Sequence, residues 1–166
     1  MRAAIRTVAG MRLSPVELGL LVVAAVVVVT AIPRCGSHSA AVTARWDLTP
    51  GVLNAAVTQA TIASTVCRKG YTRTIRPSVD YTNVLKERQL RQYGLRGPPS
   101  AFQEDHLISL ELGGNPTDPR NLWPEPYPRA AAVDQIENDL NHRVCTGSLT
   151  LAEAQRRESA LKHRDG

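Results

Sequence analysis

The stretch EDHLISLELGGNPTDPRNL, residues 104–122, constrains the fold more than any other part of the chain. A short apolar run is followed by two glycines, Asn115 and two prolines, and residues of these types end regular elements. The loop GGNPTDPR is too long for a two-residue hairpin turn, and Pro124 removes a backbone donor from the segment NLWPEP that follows. We therefore predict a strand over residues 105–112, a loop, and a short second strand within residues 121–126.

Two helices are predicted ahead of this hairpin. Residues 52–66 carry apolar groups at helix-like spacing. Residues 80–93 form a second segment of this kind, which Thr82 or Asn83 caps and Gly94 ends. The apolar side of this second helix consists of Val84, Leu85, Leu90 and Tyr93.

Two more helices are predicted after the hairpin. Residues 130–144 are amphipathic, with acidic and amide side chains on the polar face. A last helix begins at Thr150, because Glu153 three residues later completes a capping box. The apolar face of the first of these two helices consists of Val133, Ile136, Leu140 and Val144.

The first forty residues differ in kind from the rest of the chain. Arginines precede the apolar run LGLLVVAAVVVVTAI at residues 18–32, and small residues follow it at positions 39–41. This run is short for a membrane-spanning helix, which needs roughly 20 apolar residues. The order is typical of a secretory signal peptide, and an uncleaved signal anchor is the alternative. Either one places the remaining chain outside the cytoplasm, so residues 1–41 are excluded from the predicted fold.

Two cysteines, Cys67 and Cys145, remain beyond the signal segment. In an oxidising compartment such a pair favours one disulfide, which here would close a long loop. Two buried free thiols are the alternative. The chain contains no CxxC pair, so a structural zinc site has little support.

The chain is mildly basic, with 20 lysines and arginines against 15 acidic residues. Eight of the basic residues lie between residues 68 and 96, where only two acidic residues occur. A solvated helix face with intrahelical ion pairs and a phosphate-contacting surface both account for this cluster. Aromatic residues make up 4% of the chain, which disfavours a surface that stacks on bases. The candidates for contact with nucleic acid are Arg68, Lys69, Arg73, Arg76 and, nearer the hairpin, Arg120.

The residues of the hairpin resemble the HNH nuclease motif, in which two strands and a helix surround a metal ion (the ββα-metal fold). Asp105 and His106 stand on the first strand, LELGG follows them, and Asn121 comes fifteen positions after His106, directly before LWP. A wider stretch, residues 48–157, is similar to a group of secreted bacterial HNH-like proteins. The resemblance implies a nuclease built on a hairpin–helix core at residues 102–142.

The fold that this resemblance implies is α+β. A single small helical domain, residues 42–166, would be built around the hairpin–helix core and preceded by the signal or anchor segment. The side chains of neighbouring strand residues point to opposite faces. Asp105 and His106 can therefore meet at one phosphate only if the backbone is bent or twisted there.

The chemistry that the resemblance implies is metal-dependent hydrolysis of DNA or RNA with little sequence specificity. His106 is the implied general base, since a neutral imidazole takes a proton from water near pH 7. Asp105 is the implied ligand of Mg²⁺ or Mn²⁺, and Asn121 fixes the loop and orients the histidine. The family places a further His or Asn near the start of the helix, and residues 125–139 of this chain contain no histidine. Asp134 and Glu137 are the candidates to replace it.

Other functions are also compatible with this sequence. A ββα frame that has lost its metal site leaves a secreted, catalytically inactive module that binds nucleic acid or another anionic polymer. A disulfide-stapled extracellular protein with an interaction role and no anionic ligand is the third possibility. Asp134 and Glu137 then become ordinary solvated charges on a polar helix face.

Overall fold

The computed structural model of the protein describes residues 42–165, in which two antiparallel strands form one sheet. The strands are β1 (Phe102–His106) and β2 (Leu122–Pro126). They pair along their full length, from Phe102 opposite Pro126 to His106 opposite Leu122. The prediction of a long loop between two strands, the second of them short, is confirmed.

β1 lies earlier than the predicted strand at residues 105–112, because only its last two residues fall in that range. Beyond His106 the chain turns over the core instead of extending, and Leu110–Leu112 forms a 3₁₀ turn that ends at Gly113 with φ +80°. The buried apolar residues of this segment are Leu107, Ile108, Leu110 and Leu112. A strand with one solvent-exposed face cannot bury neighbouring side chains in this way, so the alternating pattern was a poor guide here.

Four α-helices accompany the sheet within residues 42–165, and the fold is α+β as predicted. α3 follows β2 directly and contacts both strands as well as α4. The hairpin and α3 therefore form one continuous strand–loop–strand–helix unit. The helices are α1 (Tyr71–Ile75), α2 (Val79–Gln92), α3 (Tyr127–Cys145) and α4 (Leu151–Arg164).

Side-chain caps set the starts of α2 and α4. Ser78, rather than the predicted Thr82 or Asn83, caps α2, because its hydroxyl accepts a backbone N–H of the first turn. Thr150 caps α4 as predicted, accepting the backbone N–H of Glu153 at 3.2 Å. The Glu153 carboxylate binds two arginines of the next turn, so the capping box is only half formed.

Residues 52–66 do not form the predicted helix. Leu53 forms an isolated β-bridge with Gly114, so the backbone of this segment pairs with the loop between the strands. The Thr61 hydroxyl accepts one backbone N–H and donates to a backbone carbonyl, and only Ile62–Ser64 forms a 3₁₀ turn. Threonine side chains compete for the backbone groups that a helix needs. Pairing with the loop therefore outweighs a weak helix propensity.

The apolar core lies mainly between α1, α3, α4 and the loop that follows β1, and a smaller cluster packs Trp123 against Leu107 and Ala44. Three of the four predicted core residues of α3 are buried, but Ile136 is 40% exposed. Val84 of α2 is likewise exposed, at 73%. The covered stripe of each helix is therefore narrower than the apolar stripe in its sequence. The residues of the main cluster are Val57, Val66, Tyr71, Ile108, Leu112, Leu140, Val144, Leu151 and Ala154.

A disulfide joins Cys67 to Cys145, the last residue of α3. Cys67 also packs against the main apolar cluster. The prediction of a disulfide is confirmed, and the alternative of two free thiols is wrong.

The predicted signal or anchor segment, residues 1–41, lies outside the described residues. Among residues 42–165, no helix is both long and apolar enough to cross a membrane.

Replacing both Cys67 and Cys145 by serine is expected to lower the free energy of unfolding. The bond spans a sequence separation of 78 residues, for which the chain-entropy model gives about 4 kcal/mol. Urea unfolding followed by circular dichroism measures the difference. Wild-type protein treated with reductant is the control and is expected to show the same loss. A change below about 1 kcal/mol would contradict the entropic account.

Candidate active site

The loop between the two strands is held by the side chain of Asn121, which is fully buried. Its Oδ1 accepts the backbone N–H of Ile108 at 3.0 Å. Its Nδ2 donates to the carbonyl of Ile108 at 3.0 Å and to the carbonyl of Asn115 at 2.9 Å. One amide thus fixes the start and the middle of the loop, next to Pro116.

His106 is the last residue of β1, and its side chain is nearly buried. Its Nε2 lies 3.0 Å from the carbonyl oxygen of Pro116. Because a carbonyl only accepts, Nε2 carries the proton, and Nδ1 of the neutral ring is left as an acceptor. Burial also lowers the pKa of His106, which favours the neutral form at neutral pH. This is the form that a general base requires.

A cleft of about 290 Å³ brings several predicted site residues together. His106 and Asp105 both border it, although they are neighbours on one strand. β1 ends at His106, so the alternation of strand side chains does not continue past this residue. Asp134 and Glu137 of α3 border the same cleft, and Arg76 brings a positive charge to it.

Lys162 of α4, which no sequence pattern singled out, is fully buried beside this cleft. Its Nζ donates to Asp105 Oδ2 at 2.7 Å, to Glu137 Oε1 at 2.6 Å and to the carbonyl oxygen of His106 at 2.5 Å. The same Nζ lies 3.7 Å from Glu158 Oε1. The three protons of the ammonium are thus all used by residues of the predicted site.

The acidic side chains around Lys162 all feel the charge of this buried cation, but their pKa values are shifted in different directions. Burial acts to raise the pKa of Asp105, but the ammonium of Lys162 outweighs it and the net shift is downward. Burial and the neighbouring Asp105 carboxylate raise the pKa of Glu125 to about 8. Burial raises the pKa of Glu137 to about 7 against the opposing effect of Lys162. Asp105 is therefore ionised at neutral pH, whereas Glu125 holds a proton.

Glu125 is fully buried on β2, and neither of its oxygens receives a hydrogen bond from a donor in residues 42–165. A charged carboxylate in that position would be costly. The raised pKa of Glu125 accounts for this arrangement, since the neutral acid avoids most of the cost and can donate its proton to Asp105.

The predicted metal ligands converge only in part. In the part of the chain that the structure describes, no three His, Cys, Asp or Glu side chains form a group that could hold a metal ion. Asp105 and Glu137 each give one oxygen to Lys162, while their side chains stay 13% and 12% exposed at the cleft. Mg²⁺ commonly keeps several waters and binds one or two carboxylates plus a substrate phosphate. The donor set fits such a hydrated ion and does not fit a closed cage.

The predicted phosphate-contacting residues do not form one surface. Arg76 borders the main cleft, whereas Arg68 and Lys69 border a second cleft beside the disulfide; Glu111 borders both, so the clefts adjoin. Arg73 is exposed on α1. Arg120 borders neither cleft and is paired with Asp118 at 2.7 Å.

Comparison of the chain with protein-family models, with curated proteins and with solved structures finds no match.

Replacing Gly114 by alanine is expected to disrupt the loop. A Cβ atom there would lie 1.8 Å from the carbonyl oxygen of Ile108 and 2.6 Å from Asn121 Nδ2. Something must move, so we expect a loss of about 3 kcal/mol in the free energy of unfolding, measured by urea titration. Gly147→Ala is the matched control, because open space surrounds that position and only its φ of +78° is strained. Equal losses in the two variants would contradict the tight approach at Gly114.

The His106 ring is expected to titrate below its usual pKa of about 6.5. Burial lowers the pKa of His106 in the folded state. The contribution of His106 to the free energy of unfolding is therefore fully present above its usual pKa and declines as the pH falls below that value. Nitrogen-15 NMR of the imidazole measures both the midpoint and the tautomer. We expect a midpoint below 6.5 and a proton on Nε2. A midpoint above 6.5, or a proton on Nδ1 of the neutral ring, would contradict the assigned geometry.

Proposed function

We propose that the protein is an endonuclease of the HNH, or ββα-metal, type that hydrolyses phosphodiester bonds of DNA or RNA with little sequence specificity. The order of β1, loop, β2 and α3 supports this proposal, because it is the order of that motif. The observation that carries the proposal is His106, a nearly buried neutral imidazole at the cleft, with Nε2 tied to the carbonyl of Pro116 and Nδ1 left as an acceptor. Asp105 borders the same cleft.

His106 acts as the general base in this proposal. Nδ1 takes a proton from the attacking water, while the Nε2–H bond to the carbonyl of Pro116 fixes the plane of the ring and stabilises the imidazolium that forms. Asn121 contributes by holding the loop that carries this carbonyl. Arg76 at the cleft stabilises the negative charge that develops on the phosphate.

Asp105, together with Glu137, is the proposed holder of a divalent ion, Mg²⁺ or Mn²⁺. Such an ion, when bound, stabilises charge on the phosphate and on the leaving oxygen. The acidic cleft supports a role for a cation, since the carboxylates Glu111, Asp134 and Asp105 would otherwise repel a phosphate. The ionised state of Asp105 at neutral pH suits the role of ligand.

Basic residues around the cleft would hold the rest of the polyanion. The chain carries a net charge of +5, and Arg68, Lys69 and Arg73 are exposed close to the second cleft. Contacts of this type bind the backbone without reading base sequence. They support the proposal that the enzyme has little sequence specificity.

We also propose that the protein is secreted or membrane-anchored, with its domain outside the cytoplasm. The disulfide between Cys67 and Cys145 supports this location, because such bonds persist in oxidising compartments.

A catalytically inactive module that binds nucleic acid or another anionic polymer is the second candidate. One observation favours it: Lys162 already engages Asp105 and Glu137, so these carboxylates have a counterion without any metal.

A plasmid-nicking assay with Mg²⁺, Mn²⁺ or EDTA tests the proposed function. We expect cleavage with either metal ion and none with EDTA. His106→Ala is expected to lower the rate by about 100-fold or more, because the general base is lost. Arg156→Ala is the control, since that residue is exposed on α4 and borders neither the main cleft nor the second cleft, and its rate is expected to equal that of the wild type.

Three outcomes separate the candidates. Full activity in His106→Ala would contradict the assigned base. A salt-sensitive gel shift of DNA without cleavage would favour the inactive binding module. Absence of both cleavage and binding at low salt would reject both candidates.

A further inference from the structure

Lys162 is unusual because a lysine is almost never fully buried unless its charge is paired. Its exposed fraction is 0%, and it lies on α4, well outside the hairpin–helix core of the resemblance. The three acceptors of its ammonium are side chains or backbone of Asp105, His106 and Glu137. One amine therefore touches the proposed base and both proposed ligands.

Stability alone does not account for this lysine. Replacing a buried ion network by apolar residues of similar volume is often neutral or stabilising. α4 also buries Gln155 and Glu158. Glu158 lies 3.7 Å from the ammonium, farther away than the three acceptors, which all lie outside α4. A charge at this position therefore serves to bind its three acceptors and not to stabilise the apolar core.

The ammonium approaches the two carboxylates from inside the protein. It takes Oδ2 of Asp105, whereas Oδ1 of that residue faces Gln103 Nε2 at 3.4 Å, and Gln103 borders the cleft. Lys162 itself does not border the cleft. Asp105 is therefore held from behind, with its second oxygen on the side from which a substrate or an ion would enter.

We propose that Lys162 is the resident inner cation of the site, and that it acts as a positioning residue for the hydrolytic reaction. Its ammonium fills the position between Asp105 and Glu137 that would otherwise attract a divalent ion, and it fixes these carboxylates relative to the backbone of His106. A divalent ion is thereby confined to the cleft side of Asp105. The positioning role rests on the proposed nuclease function, whereas the occupancy of the inner cation position does not.

Lys162→Met in the full chain is the principal test, because methionine keeps the unbranched shape of the side chain up to Cε and removes the ammonium. Gln155→Met is the matched control, since Gln155 is also a buried polar residue of α4, and its side chain donates to the carbonyl of Leu112 and to no other acceptor within residues 42–165. Three quantities are measured for each variant: kcat and KM on a short duplex, and the affinity for Mn²⁺ by electron paramagnetic resonance.

In Lys162→Met, kcat is expected to fall while the affinity for Mn²⁺ is expected to rise. kcat should fall about 100-fold, because small displacements of catalytic groups have effects of this size. KM should change little, because the exposed basic residues are untouched. Mn²⁺ should bind about 10-fold more tightly or better, since the ammonium no longer competes for the carboxylates. A purely structural defect lowers both activity and metal affinity, so it does not produce this pair of changes.

The remaining outcomes are also decisive. A folded Lys162→Met variant with kcat within about threefold of the wild type would overturn the positioning role and leave the nuclease function standing. A wild type that never cleaves rejects the nuclease function and with it the positioning role; inner occupancy is then judged on Mn²⁺ alone, where unchanged affinity overturns it. If Lys162→Met does not fold, Lys162→Arg keeps the charge with a different geometry. It is then expected to lose kcat without gaining Mn²⁺ affinity, and a gain in affinity would overturn the inference.

Discussion

The buried ammonium of Lys162 is the interaction on which the arrangement of the site depends. A lysine without access to water must use its three protons inside the protein, because an unpaired buried charge is very costly. Its acceptors come from the end of β1 and from α3, while the lysine itself lies on α4. One charge therefore fixes the mutual position of β1, α3 and α4. It also leaves Asp105 ionised and places it at the edge of the cleft.

A second constraint fixes the other side of His106. The amide of Asn121 ties Ile108 to Asn115, and the loop between them carries the Pro116 carbonyl that accepts the Nε2–H of His106. The backbone of His106 is thus held through Lys162 and its ring through the loop. The ring keeps one tautomer and stays uncharged near neutral pH, which is the state in which an imidazole accepts a proton from water.

The sequence predicted mainly those parts of the structure that have a local cause. Thr150 caps α4 because its side chain and the next turn are adjacent, and β2 is short because of its prolines. The disulfide between Cys67 and Cys145 is not local, but it was predictable because these are the two cysteines beyond the signal segment. The helix predicted for residues 52–66 was wrong because the backbone of this segment pairs with the loop more than fifty residues later. Lys162 was missed for the same reason: nothing around it in sequence distinguishes it from a solvated lysine near the end of a helix. The position of Asp134 on the polar face of a helix could be predicted from helix spacing, but its distance from Asp105 could not.

The central claim is that a phosphodiester, a divalent ion and the imidazole of His106 meet in the cleft beside Asp105. Paramagnetic broadening by Mn²⁺ in the presence of a non-cleavable oligonucleotide measures this most directly. The account predicts that the NMR signals of His106 and Asp105 broaden strongly, and more so with the oligonucleotide than without it. Broadening confined to other carboxylates, or no dependence on the oligonucleotide, would contradict the account.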